Sequence, residues 1–190
     1  MEKHELKILE QFCLHPDAEL YPAFIASKSK LNISSVSRKI ISLSKQNILR
    51  YRLSGRMKLF GLNFDELNCK YKLIETEAAR TQNFLDKHDH FKSFLKSVPV
   101  LTGCLVLFGS FSKGTETSES DVDLLLVSDQ AAKLPQYLLK NDIHKINVSN
   151  NYFEESLIKK EPLMLEVLYN HIILQNPGRF VEMWWRAYAK

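Results

Sequence analysis

The chain has 190 residues, 45% of them hydrophobic and 25% charged, an ordinary composition for a soluble globular protein of one domain or two small ones. It contains no apolar run of about eighteen residues, and its opening Met1-Glu2-Lys3-His4-Glu5 lacks an apolar segment, so neither a membrane span nor a secretory leader is expected and a cytoplasmic location is. The net charge of +4 is mild but uneven: residues 1–60 carry 11 basic and 5 acidic side chains, and the remainder 15 and 17.

Taken in chain order, Leu6, Ile8, Leu9, Phe12 and Cys13 form a helical stripe over Glu5–His15 that stops before Pro16. A second short helix fits Pro22–Ser27, with the proline in its first turn. Leu31 to Ser35 reads as a turn ending in an N-cap serine, and a third helix follows over Val36–Gln46. Val36, Ile40 and Leu43 line its buried face, and Ser35, Ser37, Arg38, Lys39, Ser42 and Lys45 face outward. Ile48–Leu53 and Met57–Leu62 then alternate like the arms of a hairpin around Ser54-Gly55-Arg56. Between Glu19 and Asp65 there is no acidic residue, against nine basic ones. A polyanion is the natural partner of such a stretch.

Three helices and a basic hairpin resemble the winged helix-turn-helix of prokaryotic DNA-binding proteins, over about the first third of the chain (residues 1–64). The resemblance implies DNA contacts from Ser35, Ser37, Arg38, Lys39 and Lys45 in the major groove and from Arg50, Arg52, Arg56 and Lys58 on the wing. The alternative use of such a fold is protein contact or homodimerisation.

Residues 65–97 hold no proline or glycine and read as a connecting helix, broken at most once, with an imperfect apolar stripe. His88-Asp89-His90 reads as a polar helix face and not a metal site, because residues two apart on a helix diverge. Cys13, Cys69 and Cys104 are odd in number and lack ligand spacing, so they are expected reduced and buried.

Chemistry concentrates in the next stretch. The apolar run Leu105–Phe108 leads into Gly109-Ser110-Phe111-Ser112-Lys113-Gly114, a short loop, and Ser120-Asp121-Val122-Asp123, which opens a second apolar run, Leu124–Val127. The pattern is strand, small-residue turn, loop, strand. Residues at i and i+2 of a strand share a face, so Asp121 and Asp123 place two carboxylates side by side, an arrangement that asks for a cation. A divalent metal with the phosphates it bridges suits that position beside exposed backbone amides.

This spacing of Gly-Ser, Gly and Asp-x-Asp resembles the signature of the polymerase-beta-type nucleotidyltransferases, in particular their small prokaryotic minimal members. The resemblance implies a small mixed sheet with flanking helices over residues 98–190, an NTP substrate, and Mg²⁺ (or Mn²⁺) held by Asp121 and Asp123 as the catalytic pair. It places Gly109, Ser110, Lys113, Gly114 and Ser120 around the nucleotide. Active members carry a third carboxylate on a later strand. Here, after a helix expected over Ala131–Leu139, the strand His144–Ser149 has Asn147 at that place, which can coordinate a metal through its carbonyl but supplies no negative charge. Glu154 and Glu155 follow at a distance that would require the chain to fold back.

Helices are expected over Tyr152–Lys159, Pro162–Tyr169 and Gly178–Ala189, with Ile172–Leu174 as a short strand or buried turn. Trp184 and Trp185 read as core or interface packing in preference to a nucleobase pocket. The fold class expected is therefore α+β: winged helix-turn-helix, linking helix, transferase-like domain. The function expected is nucleotidyl transfer to a hydroxyl of a protein (a partner toxin among the acceptors the resemblance implies) or nucleic acid. The alternative is a catalytically lapsed, nucleotide-binding transcription regulator.

Overall fold

The computed structural model describes residues 1–189. Contacts divide the chain into two compact units, residues 1–76 with the end of the chain from Tyr188, and residues 77–187.

The first unit packs α1 (Lys3–Leu14), α2 (Pro22–Ser29) and α3 (Ile33–Lys45) around Ile8, Leu9, Phe12, Ile25, Val36, Ile40 and Leu43, all buried. Each such side chain removed from water contributes about 1.5–3 kcal/mol before entropy is counted. Pro22 stands in the first turn of α2, where its missing amide costs nothing, and Lys30 closes that helix in the left-handed conformation at φ 54°. The third helix begins three residues earlier than expected. Its cap is Asn32, whose side-chain oxygen accepts from the Ser34 amide at 2.8 Å, and not a serine.

Strands β1 (Leu49–Ser54) and β2 (Met57–Leu62) form the expected antiparallel hairpin, with Tyr51 opposite Phe60 and Ser54 opposite Met57. Gly55 sits at φ 60° in the turn. The base is anchored: Leu20 and Phe60 exchange backbone hydrogen bonds of 2.7 and 2.8 Å. The tip is not, and Tyr51, Leu53 and Met57 are exposed there among the arginines.

Helix α4 (Leu67–Leu85) starts in the first unit and ends in the second, and α5 (Asp89–Ser97) follows after a break at His88. The connector is thus interrupted once. The His88 ring stacks on Phe84 with centroids 4.1 Å apart, and its Nε2 lies 3.1 Å from Glu116 Oε1. Burial pushes the Glu116 carboxyl up, but the hydrogen bonds from His88 and from its own backbone amide outweigh that and leave it below the usual value.

The second unit is built on a mixed sheet of order β5-β4-β3-β6. Strand β3 (Cys104–Phe108) runs antiparallel to β4 (Val122–Val127) and to β6 (Ile172–Gln175), while β5 (Ile143–Val148) lies parallel to β4. Leu105, Leu107, Val122, Leu124, Leu126, Ile172 and Leu174 form one core face against Phe84, Phe91, Phe94, Val98 and Phe111. Val106, Leu125 and Ile173, of opposite parity, are buried too, so the central strands read as continuous apolar runs. Helices α7 (Asn150–Ile158), α8 (Pro162–Tyr169) and α9 (Pro177–Tyr188) supply the buried Phe153, Leu157, Met164, Val167, Phe180 and Trp184. Both tryptophans are buried, in keeping with packing.

One local expectation is refined and another corrected. The small-residue turn expected after β3 is a single helical turn, α6 (Gly109–Lys113), closed by Gly114 at φ 67°. No helix spans Ala131–Leu139; only Gln136–Leu138 forms a 3-10 turn. Pro135 in the middle of that segment has no amide to donate and crowds the preceding turn, which disallows the longer helix.

A buried polar cluster ties α4 to His171, the residue before β6, inside this unit. Glu77 Oε2 accepts from Arg80 Nη1 at 2.6 Å, and Glu77 Oε1 lies 3.1 Å from His171 Nε2. Arg80 Nη2 donates to the His171 carbonyl at 2.8 Å. His171 Nδ1 faces the Leu168 carbonyl at 2.8 Å and must donate to it. All three side chains are buried, so the charges of Glu77 and Arg80 depend on each other. The cysteines are buried and form no disulfide, as expected; burial pushes the Cys69 thiol up to about 12 and raises that of Cys104 as well.

Candidate functional site

The corner where β3 passes into α6 and meets the start of β4 is fixed by the backbone. Pairing sets Asp123 opposite Phe108 on one side and His144 on the other. The next residue after Phe108, Gly109, takes φ 70°, and a Cβ there would collide with Asp123 Oδ2. Glycine is thus required twice, by its dihedral and by the carboxylate that lies on it. The other oxygen, Oδ1, is 3.2 Å from His144 Nδ1. Asp123 is half-buried between these neighbours, whereas Asp121, one residue before β4, is exposed.

The remaining expected residues divide. Ser110 is half-buried in the first turn of α6, and its carbonyl accepts from the Thr115 amide at 3.1 Å. Gly114 ends α6, its amide reaching back to Phe111. Ser120 shapes the loop: its hydroxyl accepts from the Thr117 amide at 2.9 Å, and its carbonyl accepts from Asn141 Nδ2 at 2.8 Å. Lys113 is paired with Glu166 of α8 at 2.8 Å.

Asn147 does not join the aspartates. In the parallel pairing it stands opposite Leu126, three positions beyond Asp123, and odd spacing on a strand puts it on the other face. The residue brought beside Asp123 is His144, which sequence reasoning missed. The signal was weak: His144 shares the parity of the apolar Ile146 and Val148, and which residue of the strand meets Asp123 depends on a register that only the paired strands define. Glu154 and Glu155 lie on α7, paired with Arg186 at 3.6 Å and Lys159 at 3.1 Å.

Among the described residues no group of three or more His, Cys, Asp or Glu side chains is arranged to hold a metal ion. Two carboxylates alone do not make a resident metal cage. They do fit Mg²⁺, which binds through one or two carboxylates and completes its shell with water and substrate phosphates.

In the first unit the expected nucleic-acid contacts fall into two states. Lys39 Nζ is 2.6 Å from Glu2 and 3.6 Å from Glu5, and the hydrogen bond it donates to Glu2 leads the effects that raise its pKa. Arg52 Nε is held by both Glu19 oxygens, at 2.9 and 2.7 Å. Lys58 lies over the Tyr51 ring at 4.7 Å. Arg38, Lys45, Arg50 and Arg56 are exposed, with no ion pair among the described residues. Ser35, Arg38, Lys39 and Ser42 line one cavity, while Ser37, two residues from Ser35, turns to the other flank of α3.

No helix is long and apolar enough to cross a membrane among the described residues. No curated protein and no solved structure matches the chain. Residues 88–174 match a family model, that of the nucleotidyltransferase domain, and this match, which spans the Gly109–Asp123 corner, supports nucleotidyl transfer as the general chemistry of the second unit.

Proposed function

We propose that the second unit transfers a nucleotidyl group from an NTP to a hydroxyl of a protein or nucleic-acid acceptor, and that the first unit binds DNA. The observation that carries the first half is the Asp123 carboxylate seated on Gly109 at the end of β3, within the stretch that matches the nucleotidyltransferase domain. The acceptor oxygen forms a bond to the α-phosphorus, the bond from that phosphorus to the bridging oxygen breaks, pyrophosphate leaves with the electron pair, and the hydroxyl proton passes to water. Asp121 and Asp123 would hold Mg²⁺ (Mn²⁺ having the same oxygen preference), which supplies charge neutralisation on the phosphates. Ser110 and the α6 turn lie next to that carboxylate and orient the triphosphate. Ser120 holds the loop that presents Asp121.

Labelled NTP with Mg²⁺ should give a transfer or self-modification product that Asp121→Asn with Asp123→Asn abolishes. An undiminished product in that variant would remove the corner from the chemistry.

One observation favours a second reading. No carboxylate of β5 pairs beside Asp123; the position is His144. A lapsed, nucleotide-binding regulator would bind NTP with intact affinity and transfer nothing to any acceptor. For the first unit, the winged-helix reading is supported by the order of three helices, the Leu20–Phe60 bridge and the hairpin, and by four exposed, unpaired cations on α3 and the hairpin.

A further inference from the structure

Between the start of α1 and the outer face of α3 lies a cavity of about 300 Å³, lined by Glu2, His4, Ser35, Arg38, Lys39 and Ser42. Ser35, Arg38, Lys39 and Ser42 follow i, i+3, i+4, i+7 and form one continuous strip of α3. The strip supplies a guanidinium, an ammonium and two hydroxyls, all hydrogen-bond donors, and the sole acidic group among the lining residues is Glu2. Its carboxylate sits on Lys39 Nζ at 2.6 Å. Glu5, the other carboxylate near that ammonium, is held closer by Lys72, at 2.7 Å against 3.6 Å.

A concave set of cations and hydroxyls around one oxyanion is a site for an oxyanion, and the chain fills it with its own. We propose that this cavity is a binding pocket for a backbone phosphate of nucleic acid, and that Glu2 is the internal stand-in which that phosphate displaces. The inference rests on the nucleic-acid reading of the first unit. The source is a polyanion backbone and not free phosphate because one exposed ion pair is worth little. A single small anion gains little by replacing Glu2, whereas a chain of phosphates also engages the unpaired Lys45, Arg50 and Arg56. Within this arrangement Arg38 and Lys39 grip the phosphate, and Ser35 and Ser42 complete its hydrogen bonds.

The test is fluorescence anisotropy of the intact chain with a labelled mixed-sequence duplex, alongside titration with inorganic phosphate. Glu2→Gln removes the competing charge and keeps the side chain's size, and should tighten duplex binding about two- to fivefold. Ser35→Ala with Ser42→Ala should weaken it, and Arg38→Ala with Lys39→Ala should weaken it further and reduce the salt slope by about one. Inorganic phosphate at millimolar concentration should leave duplex binding unchanged. Asp65→Asn, an exposed acid of the same unit, is the control. An equal gain from Asp65→Asn would reduce the effect to net charge and overturn the pocket. So would an unchanged affinity in Glu2→Gln while Arg38→Ala with Lys39→Ala still weakens binding, or displacement of the duplex by phosphate alone. If none of these substitutions alters duplex binding, it is the nucleic-acid reading itself that fails.

Discussion

The outer face of α3 and the β3–α6–β4 corner hold charge in opposite ways. On α3 and the hairpin, charges sit on long, exposed side chains, and Lys39 and Arg52 are neutralised by nearby acids that can let go. At the corner, Asp123 is fixed by backbone geometry, one oxygen on Gly109 and the other beside His144. The first arrangement can exchange partners without moving the fold; the second cannot change without moving it. Surfaces that meet long polyanions suit the first, and sites that must hold reacting atoms in register suit the second.

Three substitutions would break or sharpen that contrast. Glu77→Ala in the second unit should cost about 3–5 kcal/mol, because it removes the carboxylate paired with the buried, charged Arg80; chemical denaturation measures it. A loss below about 1 kcal/mol would mean that water or another acid replaces Glu77. Gly109→Ala should cost about 1–3 kcal/mol from its left-handed dihedral. It should also abolish NTP binding or transfer, since the new methyl displaces Asp123. Retained transfer would show that the corner is softer than its geometry implies. Arg52→Ala, at the other extreme, breaks an exposed pair with Glu19 and should leave the melting temperature unchanged while weakening duplex binding modestly. A melting shift as large as that of Gly109→Ala would erase the distinction between the two faces.

Local signals in the sequence carried much of this. Pro22 marked α2, the alternation around Gly55 marked the hairpin, and the unbroken apolar runs marked β3 and β4. The strand–turn–strand around Gly109 and Asp123 was legible, though the close approach that glycine permits is first of all that of Asp123 itself. What was not legible depended on partners distant in sequence. Asn147 and His144 differ only in parity against β4, and parity is set by strand pairing, not by either residue's neighbours. The pairing of Lys113 with Glu166 of α8 likewise depends on a partner distant in sequence. The helix expected over Ala131–Leu139 failed for a local reason in plain sight, Pro135, whose steric effect outweighs the favourable residues around it.

The three buried thiols have a use beyond packing. Cys13 and Cys69 lie in the first unit and Cys104 on a central strand of the second, and thiolate is scarce at neutral pH for the two that burial raises. None can be alkylated until the structure around it opens. The chain therefore carries its own clocks for local opening. The rate at which Cys104 is trapped times the fraying of the sheet that holds Asp123, and Cys69 times the base of α4, so the breathing of each unit is recorded separately by residues already present.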